Sequence, residues 1–336
     1  MMAGALIALA VALAASWWGT GLMLRFAKAR ALLDVPNERS LHSTPMPRGG
    51  GIAIVVVVLA GILVGTAGGW IRGSIALALI PSGLAVALVS WLDDRRGMPQ
   101  WARFLVHLAA AGWVVYCFGP VETLEAGGTL RLGMLGPVLT VLGIAWMANL
   151  FNFMDGIDGL AAGEALTVGL AAMLLCWRAG DLEPAWLAAL VAVAAAGFLP
   201  WNWSPARIFL GDVGSVFLGF MLASLGVLTA QRGDVPAIGG LVLLGVFFLD
   251  ATVTLLRRFA RRERWFVAHR SHAYQRAVQA GLTHAQVTGA VMALNGVLAL
   301  LVWWAVTRPA WAGLAYGGAL ILLLLLYRKV ERGLPM

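Results

Sequence analysis

Adjacent carboxylates occur in the run WLDDRRGMPQ, where Asp93 and Asp94 end a long apolar stretch. Two neighbouring acids repel each other, and close to a low-dielectric medium one of them can retain a proton and act in acid–base chemistry. Both residues are therefore candidate catalytic groups. The alternative is a helix end followed by a polar turn, in which Arg95 and Arg96 only neutralise the acids.

A second cluster lies in the run NLFNFMDGIDGLAAGEA, which holds Asn149, Asn152, Asp155 and Asp158. Asn149 and Asn152 are three residues apart and are predicted to share a helix face, with Asn149 contacting substrate. A calcium loop of the EF-hand type is excluded, because the acids are three rather than two residues apart and the twelfth position is glycine. Oxygen ligands beside glycines suit Mg²⁺ or Mn²⁺ bound with a phosphate-bearing substrate, whereas the alternative is a plain polar turn.

The run RIFLGDVGSVFLGF places Asp212 between Gly211 and Gly214, one turn into an apolar segment. An acid there can simply cap a helix. However, a helix N-terminus favours phosphate, and glycines let a ligand approach the backbone. An acid beside phosphate implies a bridging cation, so Asp212 is predicted to be a metal ligand.

Two histidines flank an arginine and a serine in the run AHRSHAYQRA, at His269, Arg270 and His272. Arginine is a bidentate phosphate donor, and neighbouring histidines can hydrogen-bond a diphosphate or transfer protons. The segment is therefore a candidate phosphate-binding site. Two other histidines receive ordinary roles: His107 is expected to be satisfied within a helix, and His284 to be solvated.

These polar residues must be positioned by a membrane-embedded scaffold. Of the 336 residues, 61% are hydrophobic and only 12% are charged, which excludes a water-soluble fold. Eleven apolar segments are long enough to indicate transmembrane helices, giving an all-α polytopic membrane protein. The segments are Met2 to Leu24, Gly51 to Gly69, Gly73 to Leu92, Trp101 to Phe118, Leu135 to Asn152, Leu160 to Trp177, Pro184 to Pro200, Ile208 to Ala230, Ile238 to Leu256, Gln286 to Thr307 and Ala310 to Tyr327.

The basic residues orient this scaffold. With eleven spans, one set of loops holds all but five of the 24 Lys and Arg residues; the exceptions are Arg72, Arg131, Arg178, Arg232 and Arg308. Basic loops face the cytoplasm, so the N-terminus is predicted outside and the C-terminus inside. The net charge of +8 is then explained by membrane sidedness, and no nucleic-acid partner is expected.

The same topology places every acid and amide cluster at the cytoplasmic boundary, although it was built from the basic residues alone. Acids at a membrane boundary are costly and are usually kept for function. We therefore expect a single transmembrane catalytic domain over residues 1–336, with active-site loops at 25–50, 93–100, 152–160, 201–212 and 257–285. Two alternatives are a transporter of a phosphorylated or anionic substrate, whose polar groups would usually lie near the bilayer midplane, and an inactive scaffold protein.

Five ordered motifs resemble the polyprenyl-phosphate N-acetylhexosamine-1-phosphate transferases of bacterial envelope synthesis. They are DVPNERSLHSTPMPRGGG, the Asp93–Asp94 pair, NLFNFMDGIDGLAAG, FLGDVGS and AHRSH, and together they cover most of the chain. The resemblance implies transfer of a sugar 1-phosphate from a UDP-N-acetylhexosamine to undecaprenyl phosphate, with release of UMP. It also implies an inner-membrane location among lipids, a cytoplasmic active site and a homodimer as one plausible state of association.

The resemblance further implies roles for individual residues. Mg²⁺, or Mn²⁺, would be held by Asp212 and Asn152, the lipid phosphate would lie beside Asp93 and Asp94, and Asp155 and Asp158 would serve catalysis or the nucleotide. His269, Arg270 and His272 would contact the diphosphate. The cytoplasmic entrance would be lined by Asn37, Arg39, His42 and Arg48.

One departure bears on the substrate. The muramyl-peptide branch of this superfamily carries a triple-histidine motif followed by glutamate, whereas this chain reads HRSHAYQ. The difference argues against a muramyl-pentapeptide donor. The HRSH form is similar to the branch that initiates O-antigen or related polysaccharides, some members of which use 6-deoxy N-acetylhexosamines.

Overall fold

The chain folds as an almost entirely helical protein in a computed structural model that describes residues 2–35, 44–263 and 269–333. The helices are α1 (Met2–Ala29), α2 (Gly51–Ala67), α3 (Gly73–Arg96), α4 (Gln100–Phe118), α5 (Leu135–Met154), α6 (Leu160–Ala179), α7 (Leu182–Asn202), α8 (Asp212–Arg232), α9 (Ala237–Leu243), α10 (Gly245–Ala260), α11 (Ala273–Gln279), α12 (His284–Thr307) and α13 (Ala312–Arg332). Two short antiparallel pairs join β1 (Leu33–Asp34) to β2 (Met46–Pro47) and β3 (Thr123–Glu125) to β4 (Thr129–Arg131).

Each of the eleven apolar segments of the sequence coincides with a helix or, in one case, with a pair of helices. Within the described ranges, nine helices are long and apolar enough to cross a membrane. Helices α9 and α10 form a tenth candidate span that bends by 82° at Leu244, and α2 has only 17 residues. The all-α polytopic membrane class is therefore confirmed, while the count of eleven crossings stays a prediction.

Helix α8 is the centre of the bundle, and 83% of the residues in its most apolar stretch are buried inside the protein. It packs against α2, α3, α5 and α7. The crossing with α2 is close because glycines meet there: a Cβ on Gly214 would lie 2.7 Å from the Cα of Gly51. A close crossing of this kind depends on the small residues that allow backbones in a membrane bundle to approach.

The helix ends form two polar layers at opposite ends of the bundle. One layer contains Arg72, Asp181, Glu183 and Arg232, where Arg232 pairs with Asp181 at 2.7 Å and Arg72 with Glu183 at 3.3 Å. The other contains the ends of α3, α5 and α10 and the starts of α4, α8 and α12. These contacts confirm the prediction that alternate loops lie at the same end of the bundle. The orientation of the two layers relative to the cytoplasm stays a prediction.

Candidate active site

A cavity of about 250 Å³ lies in the second of these layers. The end of α3 contributes Asp94, the end of α5 contributes Asn152, and the α5–α6 connection contributes Asp155 and Asp158. Asp212 enters from the first residue of α8. Side chains that are up to 118 residues apart in the sequence thus line one space, as the sequence predicts.

Asp212 is held at the start of α8 by α5 and α4. Asn152 Nδ2 donates a hydrogen bond to Asp212 Oδ2 at 3.0 Å, and Ser215 Oγ donates to Asn152 Oδ1 at 3.2 Å. Arg103 from α4 lies 3.2 Å from the same Asp212 oxygen. The N-cap position is occupied by Gly211, so the capping role considered for Asp212 does not apply.

The predicted position of Asp212, one turn inside its span, is wrong, because the helix begins at Asp212 itself. The preceding residues Ile208 and Leu210 are apolar and at most 1% exposed, yet they lie in a loop. Their burial is provided by protein rather than by lipid, and hydropathy does not distinguish the two environments. The consequence is that Asp212 lies at the mouth of the helix, facing the cavity.

Asp93 and Asp94 diverge although they are neighbours. Asp93 forms an ion pair with Arg103 and accepts a hydrogen bond from the Met98 amide at 2.5 Å. Asp94 faces the cavity, pairs with Arg48 and accepts from the Val213 amide at 3.3 Å. The neutralising partners are thus Arg48 and Arg103, whereas Arg95 and Arg96 are exposed.

The two acids after α5 have opposite electrostatic environments. Burial and the charges of Asp212, Asp94 and Asp158 raise the pKa of Asp155 well above its ordinary value. Burial also opposes ionisation of Asp158, but hydrogen bonds and charge from His284, with a bond from the Ala206 amide, outweigh it and lower the Asp158 pKa. One acid of the pair thus favours the neutral form and the other the anion, a contrast typical of acid–base sites.

The expectation that His284 is merely solvated is wrong. Its side chain is 18% exposed, and Nδ1 lies 3.3 Å from Asp158 Oδ2. It also lines the cavity. No spacing pattern predicts this contact, because 126 residues separate the partners.

Asn152 lines the cavity, whereas Asn149 is not among its described lining residues, and the predicted contact of Asn149 with substrate stays a prediction. Asn149 Nδ2 donates to the Ala145 carbonyl at 2.6 Å and contacts His107 Nδ1 at 3.1 Å. Helix α5 packs on both α4 and α8, and residues three apart on it reach different neighbours. His107 is buried in α4, and the expectation that it is satisfied holds at Nδ1 only, because the buried Nε2 has no hydrogen-bond partner among the described residues.

The HRSH segment lies beside the cavity and is anchored by Asp250 of α10. Asp250 Oδ1 lies 3.3 Å from His272 Nδ1 and accepts from the Ala273 amide at 2.9 Å. The rings of His269 and His272 lie 4.8 Å apart. Burial, followed by the charges of His272 and Arg258, lowers the pKa of His269 to about 4, so its imidazole is neutral near pH 7.

His269, Arg270 and His272 are absent from the residues that line the cavity within the described part of the chain. The nearest link is Gln275, which lines the cavity and accepts a hydrogen bond from the His272 amide at 3.2 Å. The predicted entrance residues Asn37, Arg39 and His42 lie outside the described residues. Arg48 is described and borders both this cavity and a neighbouring one of about 650 Å³.

Several residues that organise the site were not among the predicted ones: Arg103, Asp250 and His284, together with Asn202 and Ser215. Asn202 accepts from the Gly159 amide at 2.9 Å and donates to the Ile208 carbonyl at 3.0 Å, which fixes the two loops bordering the cavity. Each of these side chains acts through a partner distant in sequence. Arg103 belongs to the excess of basic residues in one set of loops, but that pattern predicts membrane sidedness rather than a side-chain contact.

The donor set fits a hard divalent cation. No group of three His, Cys, Asp or Glu side chains is arranged to hold a metal within the ranges that the structure describes. Mg²⁺, however, is usually bound by one or two carboxylates together with water and substrate phosphates. The carboxylates of Asp94, Asp155, Asp158 and Asp212 share one small cavity, where burial, followed by the charges of the other three acids, raises the pKa of Asp155.

Comparison with known proteins gives consistent matches. Residues 75–230 match the model of glycosyl transferase family 4. A probable undecaprenyl-phosphate N-acetylglucosaminyl 1-phosphate transferase of Bacillus subtilis is 31% identical over 79% of this chain and 75% of its own length. A decaprenyl-phosphate N-acetylglucosaminephosphotransferase of Mycobacterium tuberculosis is 30% identical over 84% and 78%. A phospho-N-acetylmuramoyl-pentapeptide-transferase of Frankia alni is 32% identical over 75% and 85%.

Proposed function

Since the chain belongs to the family of polyprenyl-phosphate N-acetylhexosamine-1-phosphate transferases, we propose that it transfers N-acetylhexosamine 1-phosphate from a UDP-sugar to undecaprenyl phosphate. The products are UMP and a lipid-linked diphospho-sugar. The observation that carries the proposal is the convergence of four aspartates around one cavity at the ends of membrane-spanning helices. The reaction would take place at the cytoplasmic face of the bacterial inner membrane, where the basic loops are predicted to lie.

A phosphate oxygen of the lipid attacks the β-phosphorus of the nucleotide sugar, and the bond from that phosphorus to UMP breaks. Such a transfer depends on alignment and on neutralising phosphate charge. Arg48, beside Asp94, offers a guanidinium to phosphate at the border between the two cavities. Asp94 is held by Arg48 and by the start of α8, so it is positioned to contact the attacking lipid phosphate.

Asp212 and Asn152 would hold Mg²⁺, or Mn²⁺, in this proposal. When bound, the cation supplies charge neutralisation to the phosphates. Asp212 is already oriented by Asn152 and Arg103, and the start of α8 adds the positive end of a helix dipole beside it. The residues therefore provide both the anionic ligand and the support that fixes it.

The donor is proposed to be a UDP-N-acetylhexosamine or its 6-deoxy form, with a product that initiates O-antigen or another envelope polysaccharide. The support is the HRSHAYQ sequence, which differs from the triple-histidine motif of the muramyl-peptide branch. Because the chain is also similar to a phospho-N-acetylmuramoyl-pentapeptide-transferase, UDP-N-acetylmuramoyl-pentapeptide is the donor that must be tested for comparison.

The test is a donor screen with the purified chain in nanodiscs containing undecaprenyl phosphate and Mg²⁺. We expect UMP release with at least one UDP-N-acetylhexosamine and none with UDP-N-acetylmuramoyl-pentapeptide. Release with the muramoyl donor alone would overturn the donor assignment, and no release with any donor would overturn the proposed activity. A transporter would instead move substrate across the membrane without producing UMP.

Two variants test the site within this assay. Asp212→Asn should abolish turnover because it removes the charge expected to hold the cation. Asp181→Asn is the matched control: Asp181 caps α7 in the opposite polar layer, and asparagine caps helices about as well as aspartate. Normal turnover in the Asp212 variant would remove this residue from the metal site.

A further inference from the structure

The residues lining the acidic cavity have an unusual charge balance. Its described lining includes five carboxylates, from Asp34, Asp94, Asp155, Asp158 and Asp212. Only Arg48 and His284 among the described lining residues can carry positive charge. A diphosphate is repelled by carboxylates, so each cationic side chain in the wall matters for binding it.

Arg48 lies on one side of the cavity. Its guanidinium pairs with Asp94 and borders the larger neighbouring cavity, which also contains Trp91 and Ile52. His284 is contributed by another part of the wall, where it contacts the loop between α5 and α6. The two positive groups are therefore supplied by separate elements rather than by one cluster.

The imidazole of His284 is held through one nitrogen. Nδ1 lies 3.3 Å from Asp158 Oδ2 and 3.4 Å from the Asp158 amide nitrogen. In the described part of the chain, Nε2 makes no hydrogen bond of its own. A carboxylate on one nitrogen fixes the ring, as it does for metal-bound histidines, and leaves the other nitrogen for a ligand.

The backbone around the pair is also fixed. His284 is the first residue of α12, and Thr283 and Gln286 form a capping box at that helix start. One turn further, Thr288 Oγ1 donates to the Asp158 carbonyl at 2.8 Å. Asp158 and His284 are thus joined by backbone and side-chain contacts, which limits the positions that the imidazole can adopt.

We propose that His284 is a catalytic residue that binds a phosphate oxygen of the UDP-sugar through Nε2, while Asp158 acts through it as a positioning residue. The inference rests on the proposed function. It assigns the imidazole a hydrogen bond toward the diphosphate and involves no covalent step. The low pKa of Asp158 agrees with an ionic partner at His284.

Two amide variants separate the two nitrogens. In His284→Asn the amide reaches the position of Nδ1, which can keep the Asp158 contact but offers nothing further into the cavity. In His284→Gln the amide reaches the position of Nε2 and can still donate to phosphate. A purely structural role therefore favours asparagine, whereas phosphate binding favours glutamine.

The first measurement is binding of UDP and of uridine, each with Mg²⁺, by calorimetry on the reconstituted chain. A hydrogen bond to a charged group corresponds to roughly 10- to 100-fold in affinity. His284→Ala and His284→Asn should weaken UDP binding by this factor and leave uridine binding unchanged, and His284→Gln should keep UDP binding within about threefold of the original chain. Thermal unfolding of each variant shows whether it is folded.

The second measurement is steady-state turnover. Loss of kcat/KM for the UDP-sugar should follow the loss of UDP affinity across the three variants. Unchanged UDP affinity in folded His284→Ala, or better function in the asparagine than in the glutamine variant, would overturn the inference. Failure of the unsubstituted chain to release UMP would instead overturn the proposed function, so the two failures are distinguishable.

Discussion

Asn295, Glu164 and Thr167 form a buried polar clamp between α6 and α12, and the substitution Asn295→Ala tests its contribution to stability. Asn295 Nδ2 donates to Glu164 Oε2 at 2.6 Å and to Thr167 Oγ1 at 2.9 Å. Glu164 is fully buried and Asn295 is 3% exposed, within helices that are otherwise apolar. The clamp matters for the site, because α12 begins at His284 and α6 follows the loop that carries Asp158.

The magnitude follows from the two lost bonds and the acceptor left behind. Hydrogen bonds between membrane helices contribute on average about 0.6 and at most about 1.7 kcal/mol each. A buried group left without its partner costs a further ~1–3 kcal/mol. Asn295→Ala should therefore lower the free energy of unfolding by about 2–4 kcal/mol.

Glu164→Gln should have a different result. Glu164 Oε1 and Asn295 Oδ1 are buried acceptors without a hydrogen-bond partner in the described part of the protein. Glutamine keeps the shape and brings an NH₂ group, so this variant should be at least as stable as the original chain.

The assay is reversible unfolding in mixed micelles, followed by helical circular dichroism. Thr307→Ala is the control, since Thr307 lies on the exposed end of α12 and bonds only within its own helix, to the Trp303 and Trp304 carbonyls. Equal losses for Asn295→Ala and Thr307→Ala would refute the clamp. So would a Glu164→Gln variant that is destabilised as much as Asn295→Ala.

Three further predictions concern the site and its packing. Arg103→Ala should lower turnover roughly tenfold or more while the chain stays folded, because it removes the Nη1 group that contacts both Asp93 and Asp212, and turnover near the original value would contradict this. Because the pKa of Asp155 is raised in the folded chain, ionisation of this carboxyl destabilises the fold. The effect is absent below about pH 4, where the carboxyl is protonated in both the folded and the unfolded chain, and it grows as pH rises. Metal-free Asp155→Asn should therefore gain thermal stability relative to the original chain at pH 8 and not at pH 4, and an equal shift at both would contradict the sign. Gly214→Ala should destabilise the bundle because its Cβ would meet α2, whereas Gly226→Ala on the same helix meets nothing within 4 Å and should be neutral in the same unfolding assay.

The apolar runs predict the helices well because burial in lipid and burial in protein both require apolar side chains. Alternation of the spans then predicts that the acids at 93–94, 155–158 and 212 meet at one end of the bundle. Neither inference depends on side-chain detail. The same reasoning fails at Ile208 and Leu210, where apolar residues form a buried loop and shift the apparent start of α8.

Pairings between distant helices could not be predicted. A spacing of three places Asn149 and Asn152 near each other around α5, but the neighbouring helix decides which contact each one makes, with His107 for one and Asp212 for the other. The 82° break at Leu244 likewise interrupts a run that remains apolar on both sides. Packing of the complete bundle sets these features, and local sequence carries little of that information.

The two polar layers differ in how their charges are neutralised, and the difference bears on function. In one layer, Arg232 joins Asp181 and Glu183 directly, while the neighbouring Asp234 keeps one buried oxygen without a hydrogen-bond partner among the described residues. In the other, Arg48 pairs with Asp94 and Arg103 with Asp93, and burial together with the charges of Asp212, Asp94 and Asp158 raises the pKa of Asp155. Incomplete neutralisation of these carboxylates lowers the free energy of unfolding. A ligand that supplies the missing positive charge offsets this loss when it binds. The proposed binding of a cation and a diphosphate would account for both the surplus carboxylates and the imidazole among them.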